Sequence, residues 1–283
     1  MSEEYAKPVL VSTDWLAEHG ADDDIVVAEV DENPDLYEEG HIPGAIKLHW
    51  REDLQDPLER DLVEREEFES LLGERGIGND SKVVLYGDRN NWFAAYAYWY
   101  LKIYGHQDVR ILDGGRQKWI DEGRELTTDG PSRTPATYRA KERDESIRAY
   151  RDAVRGALGA DGGVLVDVRS PQEFSGELIS PPGYEQEGAQ RAGHIPSARS
   201  IPWAQAVRDD GTFKSAAELR QLYEGKGVTN EKAVTAYCRI GERSAHTWFV
   251  LRELLGYEDV RNYDGSWTEW GNLVDVPIEK GAG

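Results

Sequence analysis

Cysteine occurs once in this chain of 283 residues, at position 238. A single thiol excludes an intramolecular disulfide and leans towards a reducing compartment. With one cysteine and scattered histidines there is no metal-ligand spacing either, so no metal and no cofactor are expected. Lysine is scarce as well: 33 Lys and Arg divide into 10 lysines and 23 arginines, and 54 acidic residues bring the net charge to −21. Nucleic acids and anionic membranes both require a basic surface, so neither is expected as a partner. Many acids combined with arginine in place of lysine resemble the surfaces of proteins from saline cytoplasm; the plainer alternative is an ordinary acidic protein. Long hydrophobic runs are missing too. The longest uncharged apolar stretch, Asn90 to Leu101, is too short to cross a membrane. The acidic N-terminus lacks the apolar segment of a secretory leader, and a soluble, cytoplasmic protein is expected. What the chain does hold is aromatic: 9 Trp and 14 Tyr, sufficient with its length for two cores of ordinary size.

Apolar runs alternate with helical patterns along the chain, first Ile25 to Asp31, Glu66 to Arg75, Lys82 to Tyr86, Trp92 to Tyr104 and Val109 to Leu112. That alternation predicts an α/β fold with a parallel sheet covered by helices on both faces. The order then repeats. Gly40-His41-Ile42-Pro43 is answered by Gly193-His194-Ile195-Pro196, and Tyr86, Gly105, Asp113 and Trp119 by Tyr237, Gly256, Asp264 and Trp270, the last four pairs at one offset of 151. A constant offset over that length points to a duplicated domain. The expected boundaries are 1–125 for the first domain, 126–146 for a polar linker and 147–283 for the second. Matching Asp31 to Asp167 gives the second half 17 additional residues, within about Ser175 to Arg191, read as an ordered loop near the active face.

The cysteine sits where the second half departs from the first. Cys238-Arg239-Ile240-Gly241-Glu242-Arg243-Ser244 follows the apolar run Ala233 to Tyr237 and precedes a helical pattern from Ala245 to Leu255. A strand, tight loop and helix place backbone N–H groups around the loop, which lowers the pKa of a thiol held there. At the constant offset Cys238 corresponds to Gly87, so the first half lacks the nucleophile and is expected to be non-catalytic. His194 has a twin in His41 within that half, which marks it as structural, and His246 is expected either to face solvent or to assist the loop. Phosphoryl transfer through a cysteine favours Cys-x5-Arg, whereas Arg243 makes this loop Cys-x4-Arg, a smaller cradle better suited to sulfur.

Asp167-Val168-Arg169-Ser170-Pro171-Gln172-Glu173-Phe174, the paired Gly-His-Ile-Pro segments and the cysteine loop together resemble the tandem-domain rhodaneses, thiosulfate sulfurtransferases of the prokaryotic type. The resemblance runs from about Val9 to Pro277 and implies two rhodanese-like domains, a catalytic second domain and a persulfide on Cys238. The implied partners are small molecules: thiosulfate as sulfur donor and cyanide or another thiophile as acceptor. Arg243 is expected to grip the sulfonate, with Arg239 as second candidate, and Ile240, Gly241, Glu242 and Ser244 complete the substrate loop; a salt-bridge role stays open for each arginine. Asp167 and Arg169 are expected to pair and brace the loop, with strand-end solvation as the alternative, and Trp203 and Trp267 to pack the core, with walls of the cleft as the alternative. Animal relatives carry Lys where Ile240 stands, and Glu242 places an acid inside the loop. A mercaptopyruvate sulfurtransferase, a persulfide-carrying binding module and a cysteine-dependent phosphatase remain the rivals.

Overall fold

The computed structural model describes residues 4–159, 162–185 and 188–281. Residues 8–144 and 207–213 form one compact unit; residues through Lys7, 145–206 and from Lys214 onward form the other. In the first unit the elements are β1 (Leu10–Val11), α1 (Thr13–His19), β2 (Ile25–Glu29), α2 (Leu36–Glu39), β3 (Ile46–Lys47), α3 (Arg65–Glu74), β4 (Lys82–Tyr86), α4 (Trp92–Ile103), β5 (Val109–Leu112) and α5 (Gly115–Asp121). Its strands pair in parallel in the order β1-β5-β4-β2-β3. All five residues of β2 are buried, as a strand covered on both faces must be.

The second unit repeats the plan with β6 (Arg148–Ala149), α6 (Arg151–Gly156), β7 (Gly163–Asp167), α7 (Pro171–Ser175), β8 (Arg199–Ser200), α8 (Ala216–Glu224), β9 (Ala233–Tyr237), α9 (Glu242–Phe249), β10 (Val260–Tyr263) and α10 (Ser266–Trp270). Its parallel sheet runs β6-β10-β9-β7-β8. The helix expected from Ala245 begins three residues earlier, and its end, Val250–Leu254, is a π-helical turn.

The repeat extends to single hydrogen bonds. Ile42 N–H donates to the Tyr86 hydroxyl at 2.9 Å, and Ile195 N–H to the Tyr237 hydroxyl at 3.0 Å. His41 stacks on Tyr37 at 3.8 Å and His194 on Phe174 at 3.6 Å, both buried, so these histidines hold the turn together. The register corrects one correspondence: Glu29 pairs with Tyr86 as Asp167 pairs with Tyr237, so Glu29, not Asp31, is the counterpart of Asp167. His41 follows Glu29 by 12 positions and His194 follows Asp167 by 27, and the second unit has 15 additional residues rather than 17. Gln186 and Glu187 of that insertion lie outside the described residues.

The polar segment expected as a linker runs along the first unit. Thr127 and His41 exchange backbone hydrogen bonds, Ala136 N–H donates to the Gly73 carbonyl, and Arg139 pairs with Glu69. Among the described residues no helix is long and apolar enough to cross a membrane.

Candidate active site

In the second unit β7 lies between β8 and β9, and the chain that steps from β7 out to β8 turns back across β7 to reach β9. The crevice outside the carboxyl ends at such a switch point is where open parallel sheets bind ligands. Both strand ends carry candidate residues: Asp167 closes β7 and Arg169 follows it, and Cys238 follows β9. A cavity of about 390 Å³ lined by Val164, Lys232 and Ala233 lies at the amino ends of the same strands, away from the thiol.

The loop from Cys238 to Ser244 is closed by glycine at Gly241, where φ is 99° and a Cβ would stand 2.6 Å from the Asp264 Cα. Only glycine fits this turn. The turn aims the Gly241 N–H at Cys238 Sγ, 3.1 Å away. Behind the loop, Ser244 Oγ donates to Asn262 Oδ1 at 2.6 Å while Asn262 Nδ2 donates to the Gly241 carbonyl at 3.0 Å. On the other side the Cys238 N–H donates to Ser266 Oγ at 3.0 Å, and the Trp267 N–H to the Cys238 carbonyl at 3.1 Å. The backbone that carries the thiol is therefore held by β10 and α10 as well as by its own strand.

Asp167 and Arg169 form a buried pair at 2.6 Å. The Arg169 guanidinium lies 4.5 Å from the Trp267 ring centroid and donates to the Gly193 carbonyl at 2.7 Å, which ties the β7 end to α10 and to the histidine turn. Trp267 is core, as expected. His246 is fully buried, in edge contact with Trp203 at 5.2 Å, rather than facing solvent, and burial pushes its pKa down to about 3.

Arg243 departs from its expected place. Its two terminal nitrogens donate to the two carboxylate oxygens of Glu173, each at 3.2 Å, and the residue is 5% exposed. The forked donors expected for a sulfonate are already used, and the salt-bridge alternative is the one observed. Glu173 itself is fixed by a capping box at the start of α7, in which Ser170 Oγ accepts from the Glu173 N–H and the Glu173 carboxylate accepts from the Ser170 N–H. Burial works to raise the Glu173 carboxyl, but Arg243 overrides it and holds it below the ordinary value. Arg239 is differently placed, its guanidinium 4.2 Å from the ring centroid of Tyr184, within the inserted loop. Sequence reasoning missed Glu173 and Tyr184. The pattern Ser-Pro-x-Glu was the available signal for the first, since it places a glutamate at the third helical position; nothing local marks the second.

The thiol departs from expectation as well. Cys238 is fully buried, and its Sγ donates to Glu242 Oε2 at 3.4 Å. Burial, and after it the Glu242 charge, push the Cys238 pKa up, against the opposing pull of Arg243. The expected lowering by the loop is outweighed, because a thiolate here gives up water and faces a carboxylate.

The corresponding loop of the first unit is built without a thiol. A Cβ on Gly87 would lie 2.1 Å from the Val30 carbonyl oxygen, so no side chain fits at the position equivalent to Cys238. Asn91 stands where Glu242 does, accepting from the Gly87 N–H at 3.0 Å and donating to the Leu112 carbonyl at 2.7 Å.

Residues 12–122 and 151–273 each match the rhodanese-like domain. A sulfur carrier protein of Thermus thermophilus, TtuD, is 61% identical over 98% of this chain and 99% of its own length. A protein of Saccharopolyspora erythraea named "putative thiosulfate sulfurtransferase" is also 61% identical, over 96% of each chain, and one of the same name from Haloferax volcanii is 56% identical over 98% of each. Among solved structures, an anaerobic ergothioneine biosynthesis enzyme from Chlorobium limicola superposes with a TM-score of 0.83 at 28% identity, covering 97% of this chain and 71% of that one. A persulfide form of EanB with ergothioneine has a TM-score of 0.84 at 27% identity and the same coverage.

Proposed function

The chain belongs to the rhodanese family of sulfurtransferases, with two rhodanese-like domains in tandem, and from that premise we propose that it moves the outer sulfur of thiosulfate to a thiophilic acceptor through a persulfide on Cys238. The observation that carries the reading is the Gly241 N–H aimed at Cys238 Sγ in a loop of Cys-x4-Arg spacing. The thiolate attacks the outer sulfur, the S–S bond of thiosulfate breaks, sulfite leaves with its electron pair, and the outer sulfur stays on Cys238 as a persulfide anion. Cyanide or another thiophile then takes that sulfur and regenerates the thiolate. The Gly241 N–H stabilises the anion on sulfur, and the buried charge of Arg243 offsets it. With the Arg243 fork occupied by Glu173, the sulfonate role passes to Arg239, whose planar guanidinium can face forked oxyanions beside the loop. Ile240, Gly241, Glu242 and Ser244 shape the rest of the cradle. Asp167 and Arg169 act from behind, by holding Trp267 and so the Cys238 carbonyl.

The acceptor is the open half of the reaction. The likeness to TtuD supports a second reading, in which the persulfide is carried to a protein acceptor with little release of a small product. Comparing kcat/KM for thiosulfate and for mercaptopyruvate in the wild type and in Cys238→Ala tests the proposal. Thiosulfate is expected to be the preferred donor, with turnover lost in the variant. Preference for mercaptopyruvate, or full activity without Cys238, overturns it. Persulfide formation without appreciable thiocyanate release supports the carrier reading instead.

A further inference from the structure

Glu242 is the one residue of the cradle that brings a negative charge to the thiol. It is 1% exposed, opens α9, and sets one carboxylate oxygen against the reacting atom: Oε2 accepts from Cys238 Sγ at 3.4 Å. The other oxygen, Oε1, is buried and accepts no hydrogen bond among the described residues. Its cationic neighbours stand back from it, Arg239 Nη2 at 3.6 Å and Arg243 Nε at 3.9 Å. Both arginines face Oε1, so Oε2 is left to the thiol.

The other ionisable groups around the thiol cannot fill that place. Arg239 and Arg243 are cations, without a lone pair to offer. Glu173, reaching in from α7, spends its oxygens on Arg243 and on the Ser170 N–H. Asp264, beyond Gly241, pairs with Arg148 at 3.0 Å. Tyr184, from the inserted loop, is stacked on Arg239.

We propose that Glu242 is the base that takes the Cys238 proton as thiosulfate is attacked, so that the nucleophile forms with no change in the net charge of the buried site. This rests on the sulfur-transfer reading. Before the step the pair is a thiol and a carboxylate; after the proton moves from Sγ to Oε2 it is a thiolate and a carboxylic acid, one negative charge in each case. The thiolate electron pair forms the new S–S bond, the S–S bond of thiosulfate breaks, and sulfite leaves as a dianion. Charge balances at three negatives on each side, counting the thiolate and thiosulfate before, the persulfide and sulfite after. Without the transfer, a dianionic donor would approach a thiolate and a carboxylate together, in a site that excludes water. The raised pKa of Cys238 fits a resting state in which the thiol keeps its proton until the donor arrives.

Three measurements test this: single-turnover persulfide formation from thiosulfate across pH, ultraviolet thiolate absorbance across pH, and thermal melting, each on wild type, E242Q and E242D. Removing the carboxylate charge makes the thiolate easier to form, so a merely obstructive Glu242 predicts that E242Q is as fast as wild type or faster. A base predicts the opposite: thiolate absorbance appears at lower pH in E242Q, yet persulfide formation at neutral pH slows by about 100-fold, a typical loss for a general base. Its rate then climbs with pH, and E242D recovers part of the loss. E242Q at or above the wild-type rate overturns the proposal. Should E242Q melt below the assay temperature, wild type decides alone: persulfide formation level through neutral pH while thiolate absorbance rises only at alkaline pH supports the base, and the two rising together overturns it. A wild type that forms no persulfide from thiosulfate sinks the sulfur-transfer reading itself, and this inference with it.

Discussion

At Arg243 a single side chain shows how burial reassigns a role. A guanidinium five positions after a cysteine offers paired donors to an oxyanion, but once buried it needs a counter-charge of its own, and Glu173 supplies both oxygens at 3.2 Å. Replacing Glu173 by Gln takes from the buried Arg243 the carboxylate that meets its fork, and a loss of about 3 kcal/mol is expected in chemical denaturation. A loss of about 0.5 kcal/mol, the scale of ordinary surface substitutions, would show that the pair does little. Charge pairing of this kind is hard to read in a sequence, because Glu173 and Arg243 lie 70 positions apart. The place of the thiol, in a loop between a strand and a helix, was legible from the apolar run before it and the helical spacing after it. Its protonation state was not, because burial and the Glu242 contact both follow from packing.

The same loop built twice separates the element from its chemistry. Strands β2, β4, β5, β7 and β9 were legible as apolar runs, with ends that shifted by two residues at most, and the helix of aromatic residues at Trp92 was legible from its spacing. Helix α8 was not anticipated, although its capping box, Ser215 with Glu218, is written in the sequence. The inserted loop was legible as an insertion, but Tyr184 as the partner of Arg239 was not, because an aromatic in a Pro- and Gly-rich segment carries no periodicity. The loop of the first unit is closed to a thiol by the Val30 carbonyl, 2.1 Å from a Cβ on Gly87. Gly87→Cys is therefore expected to lower the melting temperature without adding a second persulfide by intact mass. A stable variant that carries two would show that loop geometry does not exclude the chemistry from the first unit.

Across the whole molecule single buried groups pull the pH dependence of stability in opposite directions. His246 in the second is held to about 3 by burial, below the unfolded value of 6.5. The unfolded chain binds the proton that the folded chain refuses, so stability is lost as pH falls from about 6.5 towards 3. In the first unit burial, reinforced by Glu29, pushes Asp31 up to about 9 from 3.8, so the folded chain keeps a proton that the unfolded chain gives up, and stability is lost as pH rises through that range. Asp31→Asn is expected to raise the melting temperature at mildly alkaline pH and to do little at pH below 3.8. His246→Leu is expected to flatten the acid limb. Melting curves of both variants against wild type, taken across pH, check the two signs; a wild-type curve with no acid limb would contradict the His246 assignment. The central claim, that Cys238 takes the outer sulfur of thiosulfate, is met most directly by intact mass after incubation with thiosulfate. Wild type is expected to gain the mass of one sulfur atom, to lose it on adding cyanide, and to gain nothing as Cys238→Ser. No gain in wild type, or the same gain in the variant, would contradict the account.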